Sequence, residues 1–324
     1  MTVKGQILEI LSKNRSRPVS GEEMAGQLGC TRAAVWKAVK SLRKDGYGIE
    51  AAGRQGYILK QDTAKVTAEG LRLWLEHPDV TVHVTDETAS TNLLAKQAAI
   101  VENAPHGSLF FARSQTDGRG RKGRAFFSPR DCGLYFSVVI RPEGSLEENL
   151  RITAAAASAV YRAVKRACGI RLGIKWVNDL FLGDRKVCGI LTEAGTDFES
   201  QGLEYVVVGI GLNLFLNEEK LPGELKSAAG GLFASQEEAE KTDRNRLTAE
   251  IVNELLRILD QPGLPEDYFS ESILPGKRIL VTQQAGRSWP ALAKKMLPDG
   301  RLLVEDEQGR EHALIYGEVR IRKG

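Results

Sequence analysis

QTDGRGRKGR, residues 115–124, sets three glycines among three arginines and a lysine, and what flanks it decides which folds can hold it. Gly118, Gly120 and Gly123 match G-x-G-x-x-G. A dinucleotide site needs a strand before that motif and a helix opening at its end. The strand is present in GSLFFARSQT (107–116). The helix is not: RAFFSPRDCGLYFSVVI (124–140) carries Pro129 and Gly133 and then alternates as a second strand. Lys122 is followed by glycine rather than serine or threonine, so the phosphate loop of the P-loop fold fails as well. What remains is a loop between two apolar strands, in the setting of a pocket mouth. Its glycines let backbone amides turn inward, and Arg119, Arg121 and Arg124 bring planar forks that match phosphate or carboxylate oxygens. Mutual repulsion of these cations predicts an empty loop that is mobile and that a polyanion orders. A solvated or RNA-binding basic loop is the alternative.

Downstream, GIKWVNDLFLGDRKVCGILTEAG (173–195) reads as two apolar strands, KWVNDLFL and KVCGILTEA, around a hairpin turn at Gly183–Asp184, with Lys186 just past it. Asp179 is a carboxylate in a strand pattern. It is either a metal ligand or the partner of Lys175 or Arg185. YVVVGIGLNL (205–214) is almost wholly apolar, and Gly209 and Gly211 within it predict close approach by another group. Upstream, TAEGLRLWLEHP (67–78) reads as a short helix stopped by Pro78, and VTVHVTDETAST (80–91) as a strand. STNLLAKQAAIVENA (90–104) reads as a helix, with Ser90 and Thr91 as candidate caps.

The first 62 residues have a different character. They hold 11 Lys and Arg against 6 Asp and Glu, whereas the remaining chain is slightly acidic. Ile7, Leu8, Ile10 and Leu11 have helical spacing. Ser20 caps a second helix that Gly29 stops, and Thr31 caps a third, running to Gly46. On that third helix Val35, Val39 and Leu42 share one side, while Lys37, Lys40 and Lys44 share the other. YGIEAAGRQGYILK (47–60) follows as two strands around a turn with Arg54 at its tip. The order is that of a winged helix-turn-helix, and Arg32, Lys37, Lys40, Lys44 and Arg54 are its candidate DNA contacts. Such modules act as dimers on two half-sites, because one module gains little affinity alone. Four scattered cysteines without a Cys-x-x-Cys pair, and no apolar run long enough to span a bilayer, point to a reduced cytoplasmic protein without a membrane segment.

STN (90–92), QTDGRGRKGR (115–124), KWVNDL (175–180), DRKVCGIL (184–191) and VVVGIGLN (206–213), in this order, resemble the signature blocks of the biotin–protein ligases. With the N-terminal winged helix, the chain resembles their bifunctional bacterial type, which also represses biotin genes. The resemblance implies an α+β chain of three domains. They are a winged helix-turn-helix over 1–62, a mixed-sheet ligase domain related to class II synthetases over 63–272, and an SH3-like β-barrel over 273–324. It implies ATP, biotin and Mg²⁺ as substrates and cofactor, and a biotin carboxyl carrier protein and operator DNA as partners, with a homodimer when liganded. It further implies that Ser90, Thr91, Asn92, Gln115, Gly118, Arg119, Gly120, Arg121, Lys186, Gly189, Gly209 and Gly211 surround the biotinyl adenylate, with Arg121 and Lys186 catalytic and Asp179 at the metal. Phe126 stands where many members have tryptophan, and Val177 where many have proline. A lipoate or octanoate ligase of the same fold, or a ligand-sensing repressor without catalysis, are the rival readings.

Overall fold

The computed structural model describes residues 2–142, 148–196, 203–282, 288–315 and 317–321. Residues 283–287, 316 and 322–324, part of the tail expected to form the SH3-like barrel, lie outside them.

Three helices, α1 (Val3–Lys13), α2 (Gly21–Leu28) and α3 (Arg32–Lys44), precede a hairpin of β1 (Gly48–Ala51) and β2 (Tyr57–Gln61). The caps lie where the sequence predicts them. Ser20 Oγ accepts from Glu23 N, Thr31 Oγ1 from Ala34 N, and Gly29 takes φ 59°, the left-handed conformation that ends α2. α3 stops at Lys44, with Asp45 as its cap, two residues short of Gly46. Ile7, Leu8, Leu11, Val35, Val39 and Leu42 meet in a core separate from that of the rest of the chain.

The central part runs α4 (Ala68–Arg72), β3 (Val82–Thr85), α5 (Thr91–Val101), β4 (Leu109–Ala112), β5 (Gly133–Ile140), α6 (Glu148–Cys168), β6 (Gly173–Lys175), β7 (Asp179–Leu182), β8 (Arg185–Thr196), β9 (Leu203–Asn213), α7 (Gln236–Glu240), α8 (Arg244–Leu259) and α9 (Glu266–Ser270). Its strands form one mixed sheet in the order β3-β4-β5-β9-β8-β7-β6, parallel only between β3 and β4. Alternation along β9 sorts its residues between two faces. Val206, Val208, Ile210 and Leu212 join the core shared with α6 and α8, while Val207 packs with Ala95, Ala98 and Ala99 of α5. Further along that second face, Gly209 and Gly211 replace the bulky residues and leave a hollow beside α5.

Three expectations need correction. α4 ends at Arg72, well before Pro78, and β3 covers only four of the twelve residues predicted to be extended. Residues 175–182 are not one strand: the chain turns at 176–178, and β6 pairs antiparallel with β7 through Lys175↔Asp179. The turn is held from outside the segment, by Trp176 Nε1 donating to Gly300 O (2.9 Å) and Tyr268 Oη to Val177 O (3.1 Å).

The tail forms β10 (Arg278–Thr282), β11 (Ser288–Met296), β12 (Leu302–Asp306), β13 (Glu311–Leu314) and β14 (Glu318–Ile321) in an antiparallel sheet ordered β13-β12-β11-β10-β14, as expected for this end of the chain. Its Ile279, Val281, Leu302 and Val304 share the central core. No helix among the described residues is long and apolar enough to cross a membrane.

Candidate active site

A cavity of about 880 Å³ opens on the α5 side of the sheet, between the residue 115–124 loop, the β7–β8 hairpin, the segment 225–229 and β14. Its floor is made of positions without side chains. A Cβ on Gly209 would lie 2.0 Å from Asn92 Oδ1, and one on Gly211 2.4 Å from the Phe126 ring. These are the groups whose approach the two glycines predict. Phe126 forms the aromatic wall, edge-on to Tyr135 with ring centroids 6.4 Å apart.

On the α5 side of the cavity the polar side chains are linked to one another. Gln115 Oε1 accepts from Thr91 N (2.8 Å) and Thr91 Oγ1 (3.2 Å), and Gln115 Nε2 donates to Ser128 Oγ (2.9 Å). Ser137 Oγ lies 2.8 Å from Thr91 Oγ1 and donates to Asn92 Oδ1 (2.6 Å), while Asn92 Nδ2 donates to Glu193 Oε2 (2.7 Å). The amide of Gln115 therefore does the capping expected of Ser90. Ser90 stands at the N-cap of α5 without a cap bond and lines the cavity. Buried polar groups locked this way hold a fixed constellation for a small polar ring.

Around the whole cavity seven cationic side chains stand against three carboxylates, with Arg119, Arg121, Lys122 and Arg124 on the covering loop, so it suits an anion of several charges. The loop itself disperses its charge over partners. Arg119 pairs with Asp117 (3.1 Å) and Arg124 with Glu318 of β14. Arg121 makes no such ion pair among the described residues, and Asp179 and Glu318 act on it only from farther off. Among the described residues its one hydrogen bond is to the neutral Asn178 Oδ1 (3.3 Å). Burial pushes its guanidinium below its ordinary pKa, with Asp179 pulling the other way. It stays charged at neutral pH, so it is a partly desolvated cation in want of an anion.

Lys186 Nζ lies 2.6 Å from Asp179 Oδ1, a charge contact rather than a directed hydrogen bond. Asp179 thus pairs with neither of the partners the sequence suggested. Arg185 pairs with Glu218 instead, and Lys175 lies over the Phe181 ring at 5.3 Å. Burial drives the Lys175 ammonium down, and Asp179 partly offsets this. Gly189 gives Lys186 its room, since a Cβ there would come within 3.0 Å of Nζ.

All the candidate adenylate residues line this cavity except Gly118, which is packed against Phe126 O and Ser128 Oγ and serves the loop's shape. The sequence reading missed Ser137, although a serine inside the apolar run LYFSVVI was a visible signal. It also missed segment 225–229, Glu318 and Arg320, which nothing local distinguishes. In the winged helix, Arg32, Lys37, Lys40, Lys44 and Arg54 are all exposed, and so is Trp36, which the sequence reading passed over.

The Biotin/lipoate A/B protein ligase family matches residues 84–213, and a helix-turn-helix (HTH) domain family matches residues 4–58. The chain is 34% identical over 278 residues to the bifunctional ligase/repressor BirA of Bacillus subtilis, covering 85% of this chain and 82% of that one. It is 28% identical to the protein of the same name from Escherichia coli, over 76% and 74% of the two chains. The biotin protein ligase of Aquifex aeolicus, solved in complex with biotin and ATP, shares the fold with a TM-score of 0.61 at 24% identity, over 75% of this chain and 99% of that one. The similarity to the Bacillus subtilis protein thus runs along most of both chains, and the chain belongs to the biotin/lipoate A/B protein ligase family.

Proposed function

We infer that this protein activates biotin as biotinoyl-5′-AMP with ATP, passes the biotinyl group to a lysine of a carboxyl carrier protein, and represses transcription through its winged helix. One observation carries the catalytic reading. A single cavity holds a locked polar constellation on its α5 side and a surplus of cations around it, which are the demands of a uniquely oriented small acid and a triphosphate.

In this reading Ser90, Thr91, Asn92 and Gln115 hold the ureido ring, and Gly209 and Gly211 leave space for the body of biotin against Phe126. Biotin's carboxylate oxygen attacks the α-phosphorus in line, and pyrophosphate leaves. Two anions meet, so catalysis is placement of cations. Lys186 bridges the carboxylate and the α-phosphate. Arg121 and Arg119 take phosphate oxygens and close the loop, with Gly118, Gly120 and Gly189 shaping the approach. Among the described residues no group of three or more His, Cys, Asp or Glu side chains is gathered. Asp179 Oδ1, buried in the cavity wall without a hydrogen-bond partner among the described residues, would offer one oxygen to a Mg²⁺ ion carried in by the triphosphate. When bound, such an ion would supply charge to offset the departing pyrophosphate.

The test of the substrate is ATP–pyrophosphate exchange. Exchange that depends on biotin, and not on lipoate or octanoate, supports the reading. Exchange with lipoate alone would move the protein to the sister activity, and none at all to a sensor without catalysis.

We also propose a division into 1–62, 63–272 and 273–324, and a cytoplasmic location in which Cys30, Cys132, Cys168 and Cys188, all free here, stay reduced. Residues 1–62 reach the body mainly through Lys4 to Glu69 (3.2 Å), Tyr47 Oη to Thr67 Oγ1 (2.9 Å) and the linker at Thr63. Deleting them is expected to abolish operator binding and leave carrier biotinylation within about threefold, since these contacts are few, with Leu73 after α4 the body's one apolar residue packed on the N-terminal core among the described residues. A folded truncation unable to adenylate biotin would refute the division.

Operator binding is expected to require the liganded protein, which we propose forms a homodimer, with affinity falling steeply as salt rises because phosphate contacts release counterions. Titrations of operator with and without biotin plus ATP measure this, and equal affinities would rule the coupling out.

A further inference from the structure

We propose that Trp36 reads operator sequence by laying its indole against the 5-methyl group of a thymine in the major groove, a role that rests on the DNA-binding reading of α3. The ring is 54% exposed, an unusual place for so large an apolar surface. It lies on the solvent face of α3, with Ala33, Lys37 and Lys40 as exposed neighbours, while Val35, Ala38, Val39 and Leu42 face the core. Lys40 Nζ sits 5.1 Å from its centroid, close enough for a cation–π contact that holds the ring out in a set orientation.

The rest of the face says what covers the ring. α3 carries Arg32, Lys37, Lys40, Arg43 and Lys44 and no aspartate or glutamate. The occupant is therefore a polyanion rather than an apolar protein surface. Long basic chains on such a face reach phosphates, which fix position but carry no sequence information. Trp36 differs from them. An indole has one N–H donor and no acceptor, so it cannot take a hydrogen bond from adenine N6 or cytosine N4. What it offers is apolar surface, and the apolar feature of the major groove is the thymine methyl. The small Ala33 one turn earlier leaves the groove floor open beside it. The cationic residues then supply affinity, and the one exposed aromatic supplies discrimination.

The probe is a duplex enriched from a random-sequence DNA pool by the full-length protein with biotin and ATP present, compared with a duplex of unrelated sequence. Trp36→Ala is expected to weaken the enriched duplex by about tenfold and the unrelated one by less than about twofold, with an unchanged salt slope, and Trp36→Phe to recover part of the loss. Unaltered binding to the unrelated duplex also shows the variant is folded. Lys37→Ala is expected instead to weaken both duplexes and to flatten the salt slope by about one. Replacing thymine by uracil, one position at a time, is expected to weaken the wild type several-fold at one position of each half-site and to leave Trp36→Ala indifferent there. Wild-type affinity of Trp36→Ala for the enriched duplex overturns the proposal, as does equal loss on both duplexes, which would make the ring a backbone contact. Indifference of the wild type to every uracil overturns the thymine assignment. Failure to enrich any sequence would sink the DNA reading of α3 itself, and this proposal with it.

Discussion

Lys186→Ala is expected to slow biotin adenylation by about a hundredfold or more, on the order of 3 kcal/mol at the transition state. The ammonium offsets two anions brought together, and its removal also strips a carboxylate of its partner. Asp179 sits 2.6 Å from Nζ, so the variant leaves that carboxylate without its paired cation and facing the incoming phosphates, with only the more distant charges of Arg121 and Lys175 to offset it. That gives the test a second arm. In Lys186→Ala/Asp179→Asn the stranded charge is gone, and part of the rate should return if Asp179 acts chiefly as the lysine's partner. No recovery, or a further loss, would show that Asp179 has its own duty at the metal. Single-turnover formation of the adenylate, measured apart from transfer to the carrier, is the quantity to follow. A folded Lys186→Ala protein that adenylates biotin at near the normal rate would make this lysine no more than a hairpin residue held by Asp179.

Arg121→Gly separates keeping the intermediate from making it. The guanidinium is partly desolvated, is hydrogen-bonded only to a neutral amide among the described residues, and stands in the loop that covers the cavity. A phosphate is the partner that geometry lacks. Lys186 remains in the variant, so attack on the α-phosphorus persists. The loop loses a charge-assisted clamp of roughly 1.5–3 kcal/mol, which corresponds to adenylate release faster by about ten- to a hundredfold. A mixed anhydride released into solution acylates lysines without selection. Weaker biotin binding, faster dissociation and labelling of bystander proteins are therefore expected together. They are read by adenylate dissociation and by incubation with an unrelated lysine-rich protein. Unchanged dissociation with unchanged carrier specificity would mean that the loop closes through its backbone and through Arg119 and Arg124. Those two already have carboxylate partners in Asp117 and Glu318, which makes them poorer clamps.

Much of this protein was legible because its signals are local. A cap needs a side chain and an amide three residues apart, so Ser20, Thr31 and Gly29 could be placed from sequence, and with them the order of the winged helix. The same holds for the strand character of β5 and of the almost wholly apolar β9, and for the absence of a helix after Gly123. Gly209 and Gly211 were legible as gaps, because a glycine in an apolar strand states that something approaches. What approaches was not stated. Asn92 and Phe126 come from 117 and 85 residues away, set by the register of β5 and β9 and by the docking of α5. The split of residues 175–182 into two strands was equally hidden, since the donors that hold the turn are Trp176 reaching Gly300 and Tyr268 reaching Val177.

By itself, then, the sequence determined the modules, the strand that carries each glycine and the loop that carries the arginines, since each depends on backbone preferences within a few residues. Only the tertiary structure decided the partners of the charges. Asp179 answers Lys186 rather than Lys175 or Arg185, Arg124 is held by Glu318 from the far end of the chain, and Arg121 makes no ion pair among the described residues, with Asp179 and Glu318 acting on it only from farther off. Coulomb attraction acts through distance in space, and that distance is set by strand pairing and packing between segments that periodicity describes one at a time.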